Sequence, residues 1–172
     1  MMTFRFAKCA VAVGAIGLAA LLPSNAKAAD AATNASATVA LAISIVKNFD
    51  MDFGTIAESG AGTVVLATDG SRSVTGGVST LASGPGTAAD FIVTGEPSAT
   101  YAITLPASVS LTGPGPAMTA DTFVSSPTPT GTLSAGPGTE TILVGATLNV
   151  AAGQTAGAYT TAGTFNVTVN YN

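Results

Sequence analysis

Histidine and tryptophan are missing from this 172-residue chain, and it holds a single cysteine, Cys9. Without histidine the usual Ser-His-Asp arrangement has no general base. Zinc or copper sites built on imidazole and thiolate lack their ligands. Charge is scarce as well, with 5 basic and 9 acidic residues. Of the basic residues only Lys47 and Arg72 lie beyond residue 28, whereas all nine acids do, so that stretch sets two cations against nine carboxylates, a net charge of −7. A basic patch for nucleic acid or anionic lipid is thereby excluded.

The longest apolar run lies near the start. Arg5 and Lys8 precede the 14 residues CAVAVGAIGLAALL (Cys9 to Leu22), Pro23 ends them, and Ala26-Lys27-Ala28 places small residues where a signal peptidase reads. This is the pattern of a secretory signal peptide over residues 1–28, too short to span a bilayer, with cleavage after Ala28 or Ala29. Cys9 would be discarded with it. No membrane anchor is expected after cleavage, and the product is expected outside the cytoplasm, periplasmic at first and then extracellular or at the cell surface. The remaining chain of about 144 residues suits one domain with a sizeable core. Lacking cysteine, it must be held by that core or by partners rather than by disulfides.

Thr, Ser, Ala, Gly and Val dominate the rest, a composition that favours strands and turns over helices. Period-two alternation recurs: Tyr101, Ile103 and Leu105; Ile142, Val144, Ala146, Leu148 and Val150; Phe165, Val167, Val169 and Tyr171. Each set faces a Thr/Asn-rich opposite side, the pattern of antiparallel sheets with one wet face. Weaker strand candidates are 51–56, 62–68, 71–74, 88–93, 108–111 and 118–124. Gly-Pro-Gly at residues 84–86, 113–115 and 136–138 predicts type II turns, and Asp69-Gly70 predicts a hairpin turn. Ser125 to Leu133 (SSPTPTGTL) reads as a long surface connection or a proline-blunted sheet edge. The spacing fits an all-β, immunoglobulin-like antiparallel β-sandwich.

A search for chemistry finds little. Asp50 and Asp52 share a strand face, but beside Met51 and Phe53 they read as a solvated strand start rather than a catalytic or calcium pair. Asp69 to Gly77 is glycine- and hydroxyl-rich but lacks the lysine of a phosphate loop. Asn34-Ala35-Ser36 and Asn166-Val167-Thr168 match the glycosylation sequon, a motif frequent by chance in such strands. The eight aromatics beyond residue 28 sit mostly on apolar strand faces and read as core. No enzyme activity, catalytic residue, metal or cofactor is expected.

The most informative stretch is NASATVALAISIV, Asn34 to Val46, which alternates almost without a break. Ala35, Ala37, Val39, Leu41 and Ile43 fall on one side. Such a strand needs an apolar surface, either in its own domain or in a neighbour's. With the Asp52 to Thr55 stretch DFGT, the GSRSVTGGV of residues 70–78, FIVTGEPSATYAITLP (91–106) and the ATLNV…AGAYTTAGTFNVTVNYN ending, the chain resembles a bacterial family of exported proteins known as a domain of unknown function. At its ends it is also similar, more loosely, to the spore coat U family, which includes subunits of archaic chaperone–usher pili. There an alternating N-terminal strand precedes an Asp-x-Phe-Gly-like motif, matched by Asp50 to Gly54, and the last strand carries a penultimate tyrosine, matched by Tyr171. The cysteine that family usually places after the donor segment, near Ser44 here, is missing. This resemblance implies an incomplete sandwich completed by the N-terminal strand of the next subunit.

The sequence therefore predicts three segments: the signal peptide (1–28), an N-terminal extension and candidate donor strand (29–43), and the sandwich (44–172). The leading expectation is a structural subunit of an extracellular filament, a pilus or fimbria, assembled head to tail as a homo-oligomer by donor-strand complementation. Ala35, Ala37, Val39, Leu41 and Ile43 would be the donor side chains. Phe165, Val167, Val169 and Tyr171 would line the acceptor groove and contact a periplasmic chaperone before delivery to an outer-membrane usher. The alternative is a monomeric secreted sandwich serving adhesion or polysaccharide binding.

Overall fold

The computed structural model describes residues 27–172. The signal peptide expected over 1–28 thus lies, but for its last two residues, outside the described part. The chain divides into two units, 1–37 and 38–172. The described part of the first, 27–37, is exposed chain without regular secondary structure.

The second unit is all-β, as composition and alternation predict. Its strands are β1 (Ser44–Phe49), β2 (Ile56–Leu66), β3 (Arg72–Thr80), β4 (Ala89–Thr94), β5 (Thr100–Thr104), β6 (Ser108–Thr112), β7 (Met118–Ser126), β8 (Thr130–Thr132), β9 (Thr139–Val150), β10 (Thr160–Thr161) and β11 (Thr168–Tyr171). They form an eight-stranded sheet in the order β1-β4-β9-β7-β6-β10, with β2 and β3 branching from β9, and a three-stranded sheet β11-β5-β8. All the strand pairs are antiparallel.

Strand β9 organises the large sheet. Its alternating residues Ile142, Val144, Ala146, Leu148 and Val150 are all buried. On one side it pairs with β7 over residues 143–149. On the other it pairs with β4 up to Val144 and with β2 from Ala146. Gly145 stands at this fork, and a Cβ there would collide with the Leu66 carbonyl oxygen, so a side chain is excluded by backbone rather than by a movable neighbour.

The fork yields two cores. Phe53, Val64, Leu66, Val78, Met118, Ala120, Ala146, Leu148 and Val150 make the first, drawn from strands of the large sheet and the loop before β2. Ala89, Phe91, Val93, Tyr101, Leu133, Ile142, Val144, Val167 and Val169 make the second, between the large and small sheets. Met51 and Phe123 touch both. In the second core Tyr101 is fully buried and its hydroxyl donates to Glu140 Oε2 at 2.8 Å. Burial, then the neighbouring Glu140 carboxylate, pushes this phenol well above the usual tyrosine range.

Several expectations are corrected. The 34–46 strand forms only from Ser44, which pairs with Thr94, the last residue of β4. The chain turns away at Gly95, so earlier residues meet no strand to pair with. The 165–171 strand forms only from Thr168, opposite Thr104, because β5 ends there ahead of Pro106, which has no N–H to donate. Residues 51–56 make no strand before Ile56: Asp52 bonds the Gly54 N–H through its own side chain at 2.7 Å, and Gly54 adopts φ +72°. Of the three Gly-Pro-Gly sites only 136–138 places its last glycine at positive φ, Gly138 at +65°. The Asp69-Gly70 turn does join β2 to β3, with Gly70 at φ +81° and Asp69 Oδ1 accepting the Ser71 N–H at 2.9 Å. Bonds from Ser71 hold the Asp69 carboxyl below its usual range. In SSPTPTGTL, β7 runs on to Ser126, and the short strand β8 forms one edge of the small sheet.

Two outcomes test this account. Gly145→Val should cost about 2–4 kcal/mol in denaturant unfolding, whereas Gly136→Ala, which meets nothing within 4 Å, should lie within about 0.5 kcal/mol of wild type. Tyr101→Phe strips Glu140 of its donor and should cost about 1–3 kcal/mol at neutral pH. Because the folded state raises the Tyr101 pKa, its contribution is complete below about pH 10 and is lost as pH rises beyond it. Unfolding free energy should therefore fall more steeply in that range for wild type than for Tyr101→Phe.

Candidate assembly surface

The N-terminal extension enters the second unit at Thr38 and reaches β1 without joining a ladder. Val39 is 94% exposed and Leu41 62% exposed, whereas Ile43 is half-buried against the second core. Ala35 and Ala37 lie exposed in the first unit. The five residues expected on the donor face therefore do not share one environment: four are exposed and the fifth packs on its own domain.

Leu41 is nevertheless held. Its N–H donates to Glu96 Oε2 at 2.9 Å, and its carbonyl accepts from the Tyr171 hydroxyl at 2.8 Å. The same hydroxyl oxygen accepts the Glu96 backbone N–H at 2.7 Å. Tyr171 ends β11 opposite Tyr101, and its hydroxyl fits there because residue 95 is glycine, where a Cβ would strike it.

The four residues expected to line the acceptor groove also divide. Val167 and Val169, each 8% exposed, belong to the second core. Phe165 tilts against Phe123, ring centroids 5.5 Å apart, and lines a groove. Tyr171 is half-buried and holds Leu41.

That groove, of about 730 Å³, is in the size range of ligand-binding clefts. Its walls are the loop after β1 (Phe49 to Ile56), the inner faces of β6 and β7 (Leu111, Met118, Phe123) and the segment from Gly157 to Phe165. It meets both cores at Phe123 and Met51. Beside it, β1 and β11 touch each other and are the outer strands of their sheets on this side. The sandwich thus has a seam with free backbone edges and an apolar groove.

The polar groups nearby are engaged locally. Lys47 pairs with Asp50 at 2.6 Å, and Asp52 caps Gly54. The Arg72 guanidinium donates to the carbonyls of Phe53 (2.9 Å) and Leu81 (3.1 Å), tying the Asp52–Thr55 motif to the Gly70–Val78 hairpin. Among the described residues no group of three or more His, Cys, Asp or Glu gathers to hold a metal.

Sequence reasoning gave Glu96 no role: it lies in the FIVTGEPSATYAITLP stretch but sits 55 residues from Leu41 and on no alternating face. Of the groove wall from Gly157 to Phe165 it named Phe165 but missed the rest, whose signal is Tyr159 close to glycines.

A solvent-reachable apolar groove should bind the dye ANS in the native state. Phe165→Asp should lower that fluorescence several-fold while leaving far-UV circular dichroism unchanged; unaltered dye binding would mean that the groove is closed in solution.

The chain matches no curated protein and no solved structure. A protein-family model does match, over residues 43–171, from the residue before β1 to the last residue of β11. With three-quarters of its length and every strand of the sandwich inside that match, the chain belongs to the family described as a domain of unknown function (DUF4402).

Proposed function

We propose that this protein is a structural subunit of an extracellular surface filament, a pilus or fimbria, in which the N-terminal extension of one copy completes the sandwich of the next. The observation that carries this reading is the exposure of Val39 and Leu41 on a chain segment without a ladder, in a domain whose seam leaves two strand edges free beside an apolar groove. A neutral, alternating segment suits such a seam: its backbone pairs with a free edge while alternate side chains enter the groove. A segment that pairs in the groove of another copy makes a head-to-tail contact, which propagates as a filament. Export by a cleaved signal, a periplasmic chaperone covering the seam and an outer-membrane usher complete the proposal. The proposal takes in a kinship of the chain ends with spore coat U and archaic pilus subunits. No catalytic role is assigned.

The groove aromatics Tyr159 and Phe165 favour one second reading, a monomeric module that takes polysaccharide on an aromatic surface. One experiment separates the two. The chain without residues 1–28 should form multimers that resist SDS until boiled, and Val39→Asp should return it to monomer. A protein that sediments as monomer at every concentration, and binds glycan saturably, would replace the filament reading by the second.

A further inference from the structure

The ring of hydrogen bonds around Leu41 does more than decorate a terminus. Leu41 N–H donates to the Glu96 carboxylate, Glu96 N–H donates to the Tyr171 hydroxyl oxygen, and that hydroxyl donates to the Leu41 carbonyl, at 2.9, 2.7 and 2.8 Å. Both backbone groups of Leu41 are thereby satisfied by side chains, as a neighbouring strand would satisfy them. The link to a carboxylate is the stronger kind of hydrogen bond, and a hydroxyl that donates and accepts at once is polarised in both directions. Two residues on, Ile43 packs on the second core, and at Ser44 the β1–β4 ladder begins. Upstream, Val39 is almost wholly exposed and Ala37 already belongs to the other unit.

We propose that Glu96 and Tyr171 form a bracket that fixes the exit point of the N-terminal extension at Leu41, so that the segment available to a second copy ends at Ala40. Leu41 and Ile43, which alternation places on the donor face, stay with their own domain, and the donor side chains are Ala35, Ala37 and Val39. Glu96 and Tyr171 are then positioning residues for assembly. The reach suffices: the 12 residues from 29 to 40 that follow the signal peptide extend to about 40 Å, more than the ~30 Å diameter of a small domain. The bracket also sets direction, because a segment pinned at the end of β11 leaves its own seam at a defined place. The consequence for assembly rests on the filament reading; the bracket itself does not.

The test uses the full chain without its signal, in two arms. In dilute monomer, amide exchange at Leu41 should be at least 10-fold slower than at Ala37. Glu96→Ala and Tyr171→Phe should each abolish that difference, and Glu96→Gln, which keeps an acceptor oxygen, should retain most of it. A Leu41 amide that exchanges like Ala37 in wild type overturns the bracket. In the second arm, single cysteines are placed in a chain that has none beyond Cys9. Protein carrying Val39→Cys, mixed with protein carrying the groove-side Thr164→Cys, should give a disulfide-linked heterodimer on oxidation, and Ile43→Cys should not. Equal cross-linking from Ile43→Cys overturns the exit point. Protection at Leu41 with no cross-link from either position leaves the bracket standing and overturns the filament reading.

Discussion

Everything in this domain hangs on β9, the one strand paired with three others. β7 runs along one side of it, while β4 and β2 share the other and part at Gly145. A strand whose partner changes halfway cannot carry a single flat sheet. The half of the sheet that holds β2 and β3 closes over its own core, and the half that holds β4 and β1 is covered by β5, β8 and β11. Because the small sheet covers only the second core, a groove opens where the two meet, at Met51 and Phe123. The groove is thus a consequence of the fork, and an apolar groove of this size gains stability from an occupant that removes its walls from water.

Sparse charge shapes the rest. With so few ionic side chains beyond residue 28, each is spent on backbone or on a hydroxyl more often than on another ion. Arg72 bonds carbonyls rather than a carboxylate, Glu140 accepts from the Tyr101 hydroxyl, and Glu96 accepts the Leu41 amide. The one ion pair among the described residues, Lys47–Asp50, is exposed and adds little to stability. Cohesion comes from two mainly aliphatic cores and from these few polar clips, which join segments far apart in sequence. The Arg72 clip joins the Asp-Phe-Gly-Thr stretch to the Gly70–Val78 hairpin, two of the motifs that carry the family resemblance.

The legible parts were those governed by local pattern. Alternation located β9 and β5 almost to the residue, because both edges of those strands are paired and one face of each is buried. Asp69-Gly70 was legible because a tight hairpin turn is a property of four consecutive residues. The type II turns expected at residues 84–86 and 113–115 did not form, since neither Gly86 nor Gly115 takes a positive φ, and contacts distant in sequence hold these segments, such as the Thr55 N–H on the Gly84 carbonyl. The candidate site was legible in half: Phe165, Val167, Val169 and Tyr171 were found as one face, but alternation cannot say that two fill their own core, one lines a groove and one grips Leu41. Glu96 was invisible, since its role exists only once β4, β11 and the extension meet.

By itself the sequence determined the strand class, the apolar faces and the alternating character of the N-terminal segment, because these follow from side-chain period and turn chemistry within a few residues. Tertiary structure alone decided where that segment stops being strand. The alternation runs almost without a break from Asn34 to Val46, yet a ladder forms only from Ser44, since hydrogen bonds need a second chain segment alongside and β4 ends at Thr94. From Asn34 to Ile43 the chain has the side chains of a strand and no strand partner within its own domain, only the side-chain bonds that hold Leu41.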